Sequence, residues 1–154
     1  MRIGILTLAS PDSGGVYQYT LTLVESLKRY LNDEHQLVQI KSNNFPKVLN
    51  NSIEVENSKS SATTKIKRLI HTFTGIRIGD LLEGYNHPEI DNLDLIISPS
   101  ITLLPYHIRK AYIVTIHDFQ QKYYPEFFSL RERISRKIIY KTAQKANIVV
   151  CESE

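Results

Sequence analysis

The feature that most constrains this chain is its opening run, Ile3-Gly4-Ile5-Leu6-Thr7-Leu8, which is almost wholly apolar yet very short. A strand with one face in water alternates polar and apolar residues. A run without that alternation suits a strand buried on both faces, as in a parallel sheet. Parallel strands need a long crossover between them, and the next segment supplies one. Ser10-Pro11-Asp12-Ser13-Gly14-Gly15 is turn-rich. Over residues 16–31, Val16, Thr20, Leu23, Leu27 and Leu31 recur at spacings of three and four, which predicts one face of a helix. Asn32-Asp33 ends it, and Leu37-Val38-Gln39-Ile40 reads as a second strand, completing a β-α-β unit.

The alternation continues. Asp94-Leu95-Ile96-Ile97-Ser98 is strand-like and Pro99 stops it. Tyr112-Ile113-Val114-Thr115-Ile116 is the clearest strand, β-branched and aromatic, and belongs inside the sheet. Ser129-Leu130-Arg131-Glu132 is a capping box, so a helix begins there, with Leu130, Ile134, Ile138 and Ala146 as its apolar face. Asn147 closes it, and Ile148-Val149-Val150-Cys151 reads as a last strand. Residues 65–78 read as a helix with Ile66, Leu69, Ile70 and Phe73 facing inward, weakened by Gly75 and Gly79. Residues 41–62, rich in Asn, Ser and Lys, read as a long mobile surface loop. The fold class expected is α/β: a single Rossmann-like lobe over residues 1–154, with a mostly parallel sheet and helices on both faces.

Composition enters as a set of exclusions. No apolar run approaches the roughly 20 residues that span a bilayer. The single cysteine, Cys151, rules out an internal disulfide, suits a reducing cytoplasm, and reads as a buried strand residue. The net charge is only +3 but is unevenly spread: Lys122, Arg131, Arg133, Arg136, Lys137, Lys141 and Lys145 face only Glu126 and Glu132. The plainest reading of that stripe is a solvated helix face. The other is a surface for anionic lipid or phosphate at the inner face of a membrane. Nucleic acid is not expected as a partner.

In open parallel sheets, ligands bind at the carboxyl ends of the strands, and two loops sit there. The first holds Gly14 and Gly15 ahead of a helix N-terminus, where backbone can approach a ligand and unpaired N–H groups suit phosphate. It lacks both the Gly-x-Gly-x-x-Gly fingerprint and a P-loop lysine, so a plain turn explains it equally well. The second is His117-Asp118, directly after the clearest strand. An imidazole there can carry a proton or donate a hydrogen bond, and a neighbouring carboxylate can orient it or bind sugar hydroxyls. A lone histidine is more often structural; its place at a strand end brings the functional reading level with that one. His35, His71, His87 and His107 have no metal-ligand spacing, and neither a metal nor a cofactor is expected.

Three segments resemble glycosyltransferase family 4, a group with the two-lobed GT-B fold. They are the opening strand with Ser13-Gly14-Gly15-Val16-Tyr17; the stretch from Tyr112 through His117-Asp118-Phe119-Gln120 to Tyr124-Pro125-Glu126-Phe127-Phe128; and Ala146-Asn147-Ile148-Val149-Val150-Cys151-Glu152-Ser153-Glu154. The His-Asp stretch followed by Pro-Glu-x-Phe is the specific part, and it is similar to mannosyltransferase-like members that build surface polysaccharides. Residues 41–90 add little to the likeness. The resemblance implies the N-terminal, acceptor-side lobe of a retaining hexosyltransferase, working without a metal. It implies that Gly14 and Gly15 lie near the donor diphosphate, that His117 lines the reaction centre, and that Asp118 meets acceptor hydroxyls. The nucleotide-sugar donor is held mostly by a C-terminal lobe through a Glu-x7-Glu motif. No glutamate of this sequence has another eight positions on, so that lobe is expected to lie outside it. The acceptor expected is a glycan or lipid-linked sugar, and the single lobe is expected to be inactive alone. The rival reading keeps the fold and drops the chemistry: a binding module for a glycan, an anion or a partner protein.

Overall fold

The computed structural model describes residues 1–31, 33–54, 63, 66, 70, 88–100, 110–144 and 146–152. Among them lie six strands: β1 (Arg2–Thr7), β2 (Gln36–Lys41), β3 (Ser52–Glu54), β4 (Leu95–Ser98), β5 (Ala111–Ile116) and β6 (Ile148–Cys151). They form one sheet in the order β3-β2-β1-β4-β5-β6, and every pairing is parallel. This is the doubly wound order in which the chain starts centrally and reverses direction once, between β1 and β4, leaving a crevice at their carboxyl ends. Beside helical positions at 63, 66 and 70, the helices among the described residues are α1 (Gly15–Leu31), the short α2 (Pro88–Asp91) and α3 (Gln120–Tyr123), and α4 (Leu130–Ala143). The expected Rossmann-like α/β lobe is thus observed, and its sheet is all-parallel among the described residues rather than mostly so.

β1 shows why a run without alternation belongs in the centre. Ile3 and Ile5 point to one face and pack with Leu37, Leu49 and Val24 of α1. Leu6 points to the other, with Val38, Ile40, Leu93, Ile96, Val114 and Ala143 of α4. Helices therefore cover both faces. Gly4 shares the second face: a Cβ there would lie 2.6 Å from Leu93 Cδ1 and 3.1 Å from Ile40 Cδ1, so Leu93 packs against bare backbone. Burying a residue of this size contributes about 2 kcal/mol.

Four expectations need correction. Residues 41–54 are not a mobile loop. Phe45, Leu49 and Ile53 are buried there, and β3 extends the sheet. The cause is Gln39, wholly buried on β2. Its Nε2 donates to Thr7 Oγ1 at 3.1 Å and to the Pro46 carbonyl at 2.8 Å. Its Oε1 accepts from the Val48 and Leu49 N–H groups at 2.8 and 3.1 Å. One amide side chain thus satisfies a returning segment whose own composition is polar. Second, the apolar face expected from Leu130, Ile134, Ile138 and Ala146 is not buried along its length: Leu130 is 71% exposed and Ile134 is exposed, Ala146 is partly buried, and the side chain of Ile138 lies outside the described ones. Third, Cys151 is exposed, as is the rest of β6, which lies at the edge of the described sheet. Fourth, of the helix expected over 65–78 only Ile66 and Ile70 are described; both are helical, and Ile66 is exposed rather than inward-facing. Leu69, Phe73, Gly75 and Gly79 lie outside the described residues. The centre of α1 is Val24, with Thr20 beside it and Leu27 and Leu31 at the margin.

Candidate functional site at the carboxyl edge of the sheet

The loop after β1 makes a short 3-10 turn, Pro11–Ser13, and passes through Gly14 at φ +56° into α1. That backbone conformation strains any residue with a Cβ. The Gly14 carbonyl accepts from the Tyr17 and Gln18 N–H groups, so Gly14 is the helix N-cap residue. Gly15 differs. Its backbone is unstrained, and an added Cβ would meet nothing within 4 Å. Nothing in the described fold demands a glycine there, and the residue is exposed.

His117 is the first residue beyond β5, and it does not stand free. Nε2 is 2.8 Å from the Pro99 carbonyl oxygen, which only accepts, so Nε2 carries a proton and donates. Nδ1 is 2.7 Å from Glu152 Oε2. Both neighbours of the ring are acceptors in their usual forms. The two contacts are satisfied together when the imidazole and the Glu152 carboxyl share one additional proton, as imidazolium with carboxylate or imidazole with carboxylic acid. Tyr19, one turn into α1, meets the ring edge-on at 4.8 Å between centroids, and its hydroxyl lies 3.4 Å from Thr115 Oγ1. His117 thereby links the carboxyl ends of β4, β5 and β6 to the first turns of α1, and brings the histidine and glycine-loop candidates to one edge.

Asp118 has a different position. Its Oδ1 accepts from the Gln120 N–H at 3.2 Å, opening α3, and from Arg136 of α4 at 3.1 Å. Its backbone carbonyl accepts from the Tyr140 hydroxyl at 2.9 Å. Phe119 stacks on Tyr140 at 5.3 Å, and Arg136 lies over the Phe128 ring. These contacts pin the segment after β5 onto α4. The capping box forms as the sequence predicts: the Ser129 N–H and Oγ both contact Glu132 Oε2, at 2.8 and 2.6 Å, and the Glu132 N–H donates back to Ser129 Oγ. Those bonds hold the Glu132 carboxyl below its ordinary range.

Sequence reasoning missed Glu152 and Tyr19. Glu152 is one place past β6, whose register pairs Ile116 with Cys151, so residues 117 and 152 emerge side by side. Had that register been assumed, the neighbour would have been found; parallel register depends on a partner 35 residues away and is not written locally. Among the described residues there is no cluster of His, Cys, Asp and Glu that could hold a metal ion.

No protein-family model matches the chain, and no curated protein matches it. Among solved structures, the chain is similar to an α-glucosyltransferase described in complex with UDP and a 13-mer DNA containing a HMU base. The match covers 98% of this chain and 37% of that one, at 13% identity and a TM-score of 0.46. The chain thus spans little more than a third of the length of that protein. A likeness of this degree shows nothing about the site.

Proposed function

We propose that the chain is the acceptor-side lobe of a retaining hexosyltransferase with two lobes. It would move a hexose from a nucleotide-sugar to a glycan or lipid-linked acceptor in the cytoplasm, with no metal or other cofactor. The observation that supports this reading best is the convergence of the Gly14–Gly15 loop and His117 on one carboxyl edge, joined through Tyr19. In this reading the exposed backbone at Gly14 and Gly15 lies against the donor diphosphate, and a second lobe holds most of the donor. His117 donates a hydrogen bond to a sugar hydroxyl or to charge developing between the lobes. Glu152 is the contact it exchanges, since that carboxylate is the more exposed partner and the Pro99 carbonyl is backbone. Asp118 is tied through Oδ1 to Arg136, so we assign it first to holding the loop that carries His117, and its half-exposed carboxylate can meet acceptor hydroxyls as well.

Two experiments test this. Titrating the isolated chain with UDP, GDP and their hexose conjugates, followed by amide NMR, is expected to shift Gly14, Gly15, Tyr19 and His117. The expected dissociation constants are weaker than micromolar, a binding free energy short of about −8 kcal/mol. Shifts confined to other surfaces, or sub-micromolar binding, would remove the assignment. In a complete two-lobed enzyme, His117→Ala is expected to lower turnover about a hundredfold, roughly 3 kcal/mol, with little change in Tm. Lost stability with near-normal turnover in the folded fraction would make the histidine structural and favour the plain binding module.

A further inference from the structure

The two members of the His117–Glu152 pair are held unequally. The imidazole is anchored from two sides that do not involve the carboxylate. Nε2 donates to the Pro99 carbonyl at 2.8 Å, and the Tyr19 ring packs edge-on against it with 85° between the planes. Tyr19 is itself steadied by its hydroxyl, 3.4 Å from Thr115 Oγ1. Glu152 stands one place past β6, and its backbone N–H meets the Ile116 carbonyl only at 3.4 Å. Its side chain is 37% exposed against 19% for His117. Among the described residues, His117 Nδ1 is the side-chain partner of Glu152, through Oε2, and Oε1 has none. The neighbouring Asp118 differs, since its Oδ1 already receives Arg136 and the Gln120 N–H.

The carboxylate is therefore free to turn outward while the ring stays in place. When it does, a donor and an acceptor face each other across a gap open to solvent. Wherever their shared proton sits, the pair offers one of each. A hydroxyl fits such a gap because its oxygen accepts while its proton is donated. An ether oxygen only accepts, an ammonium only donates, and a phosphate meets the carboxylate as a like charge. We propose that Glu152 is a specificity-determining residue: with His117 it clamps one uncharged hydroxyl, Nδ1–H donating to the hydroxyl oxygen and the carboxylate accepting from the hydroxyl proton. The identity of the ligand as a sugar acceptor rests on the transferase reading. On that reading the acceptor presents a neutral polyol to this edge, and not a phosphate. Glu152 binds and orients, and no covalent bond changes in the clamp.

The test is NMR of the full chain, following the His117 ring nitrogens and the Glu152 carboxyl carbon. The probes are methyl α-glucopyranoside, methyl α-mannopyranoside and their fully O-methylated counterparts, which keep every oxygen but cannot donate. The free glycosides are expected to shift both signals together, and the O-methylated ones to leave the Glu152 carboxyl unmoved. Glu152→Gln keeps an acceptor but removes its charge, and is expected to weaken glycoside binding about fivefold, with circular dichroism and Tm near wild type. Equal responses to free and O-methylated probes, undiminished binding by the Gln variant, or no response to any glycoside overturns the clamp. Titration with UDP and GDP in the same samples judges the transferase reading separately, at Gly14 and Gly15. A chain that answers the nucleotides and ignores the glycosides loses the clamp alone. One that answers only the glycosides keeps the clamp as part of a glycan-binding module.

Discussion

The two ends of the sheet are finished differently. At the β3 end, a polar segment folds back and is bonded in place by one buried amide, Gln39, which leaves Phe45, Leu49 and Ile53 inside. At the β6 end, Ile148, Val149 and Val150 remain exposed, and among the described side chains of α4 it is Tyr140 and Ala143, in its later turns, that pack on the sheet. What differs among the described residues is that a segment returns to cover the β3 end. Hydrophobicity supplies the drive to bury, but a local partner for the backbone decides where burial happens.

Substitutions of the same kind at the two ends should make that contrast measurable. The largest effect is expected from leucine truncation. Leu93→Ala, at a wholly buried side chain, should cost about 4 kcal/mol, whereas Leu130→Ala should change stability by less than about 0.5 kcal/mol. Urea unfolding of both variants checks this, and comparable losses would mean the open end is covered in solution. Next, Gln39→Leu removes the partner of two N–H groups and should cost about 2 kcal/mol or more. Limited proteolysis should then cut within residues 42–51 first. Unchanged protection there would mean the segment is held by its apolar residues alone. Somewhat smaller is Gly4→Val, which pushes into Leu93 and should cost about 1–3 kcal/mol by overpacking, read as a fall in Tm.

The smallest effect concerns the ion pair at the closed end. Lys41 is largely buried and pairs with Glu54 on β3, and this partner holds the Glu54 carboxyl below its ordinary range. A carboxyl whose folded value is depressed contributes stability above its unfolded value and loses that contribution as pH falls through the folded one. Glu54→Gln should therefore be slightly less stable than wild type near neutrality. The difference should shrink once the pH drops below about 4. A difference that persisted at low pH would place its origin in packing rather than charge.

Much of the architecture was legible in the sequence because it is locally encoded. The opening run of β1, the clean strand at β5 and the Ser129–Glu132 box each carry their own signal, and each formed where expected. The misreadings share a cause. Residues 41–54 look like a loop because their composition is polar; the residue that orders them, Gln39, lies on the preceding strand and is unremarkable by itself. Leu130 and Ile134 look like a buried face because helical spacing reports amphipathicity, not the presence of a partner. At the site, His117 was visible from its place after a strand, while Glu152 was not, since only the β5–β6 register joins them.

That register has a consequence for how the chain tolerates insertion and deletion. Asn147 fixes it: its side-chain oxygen accepts from the Tyr112 N–H at 3.0 Å, and its own N–H donates to the Tyr112 carbonyl. If β6 slipped by a single residue, the group presented to His117 would change from a carboxylate to the thiol of Cys151 or the hydroxyl of Ser153. A residue inserted ahead of Asn147 is thus taken up by the connection, whereas one inserted between Asn147 and Glu152 would rewrite the chemistry of the carboxyl edge without altering His117 or its other neighbours. Asn147 is as much a determinant of that site as the histidine itself.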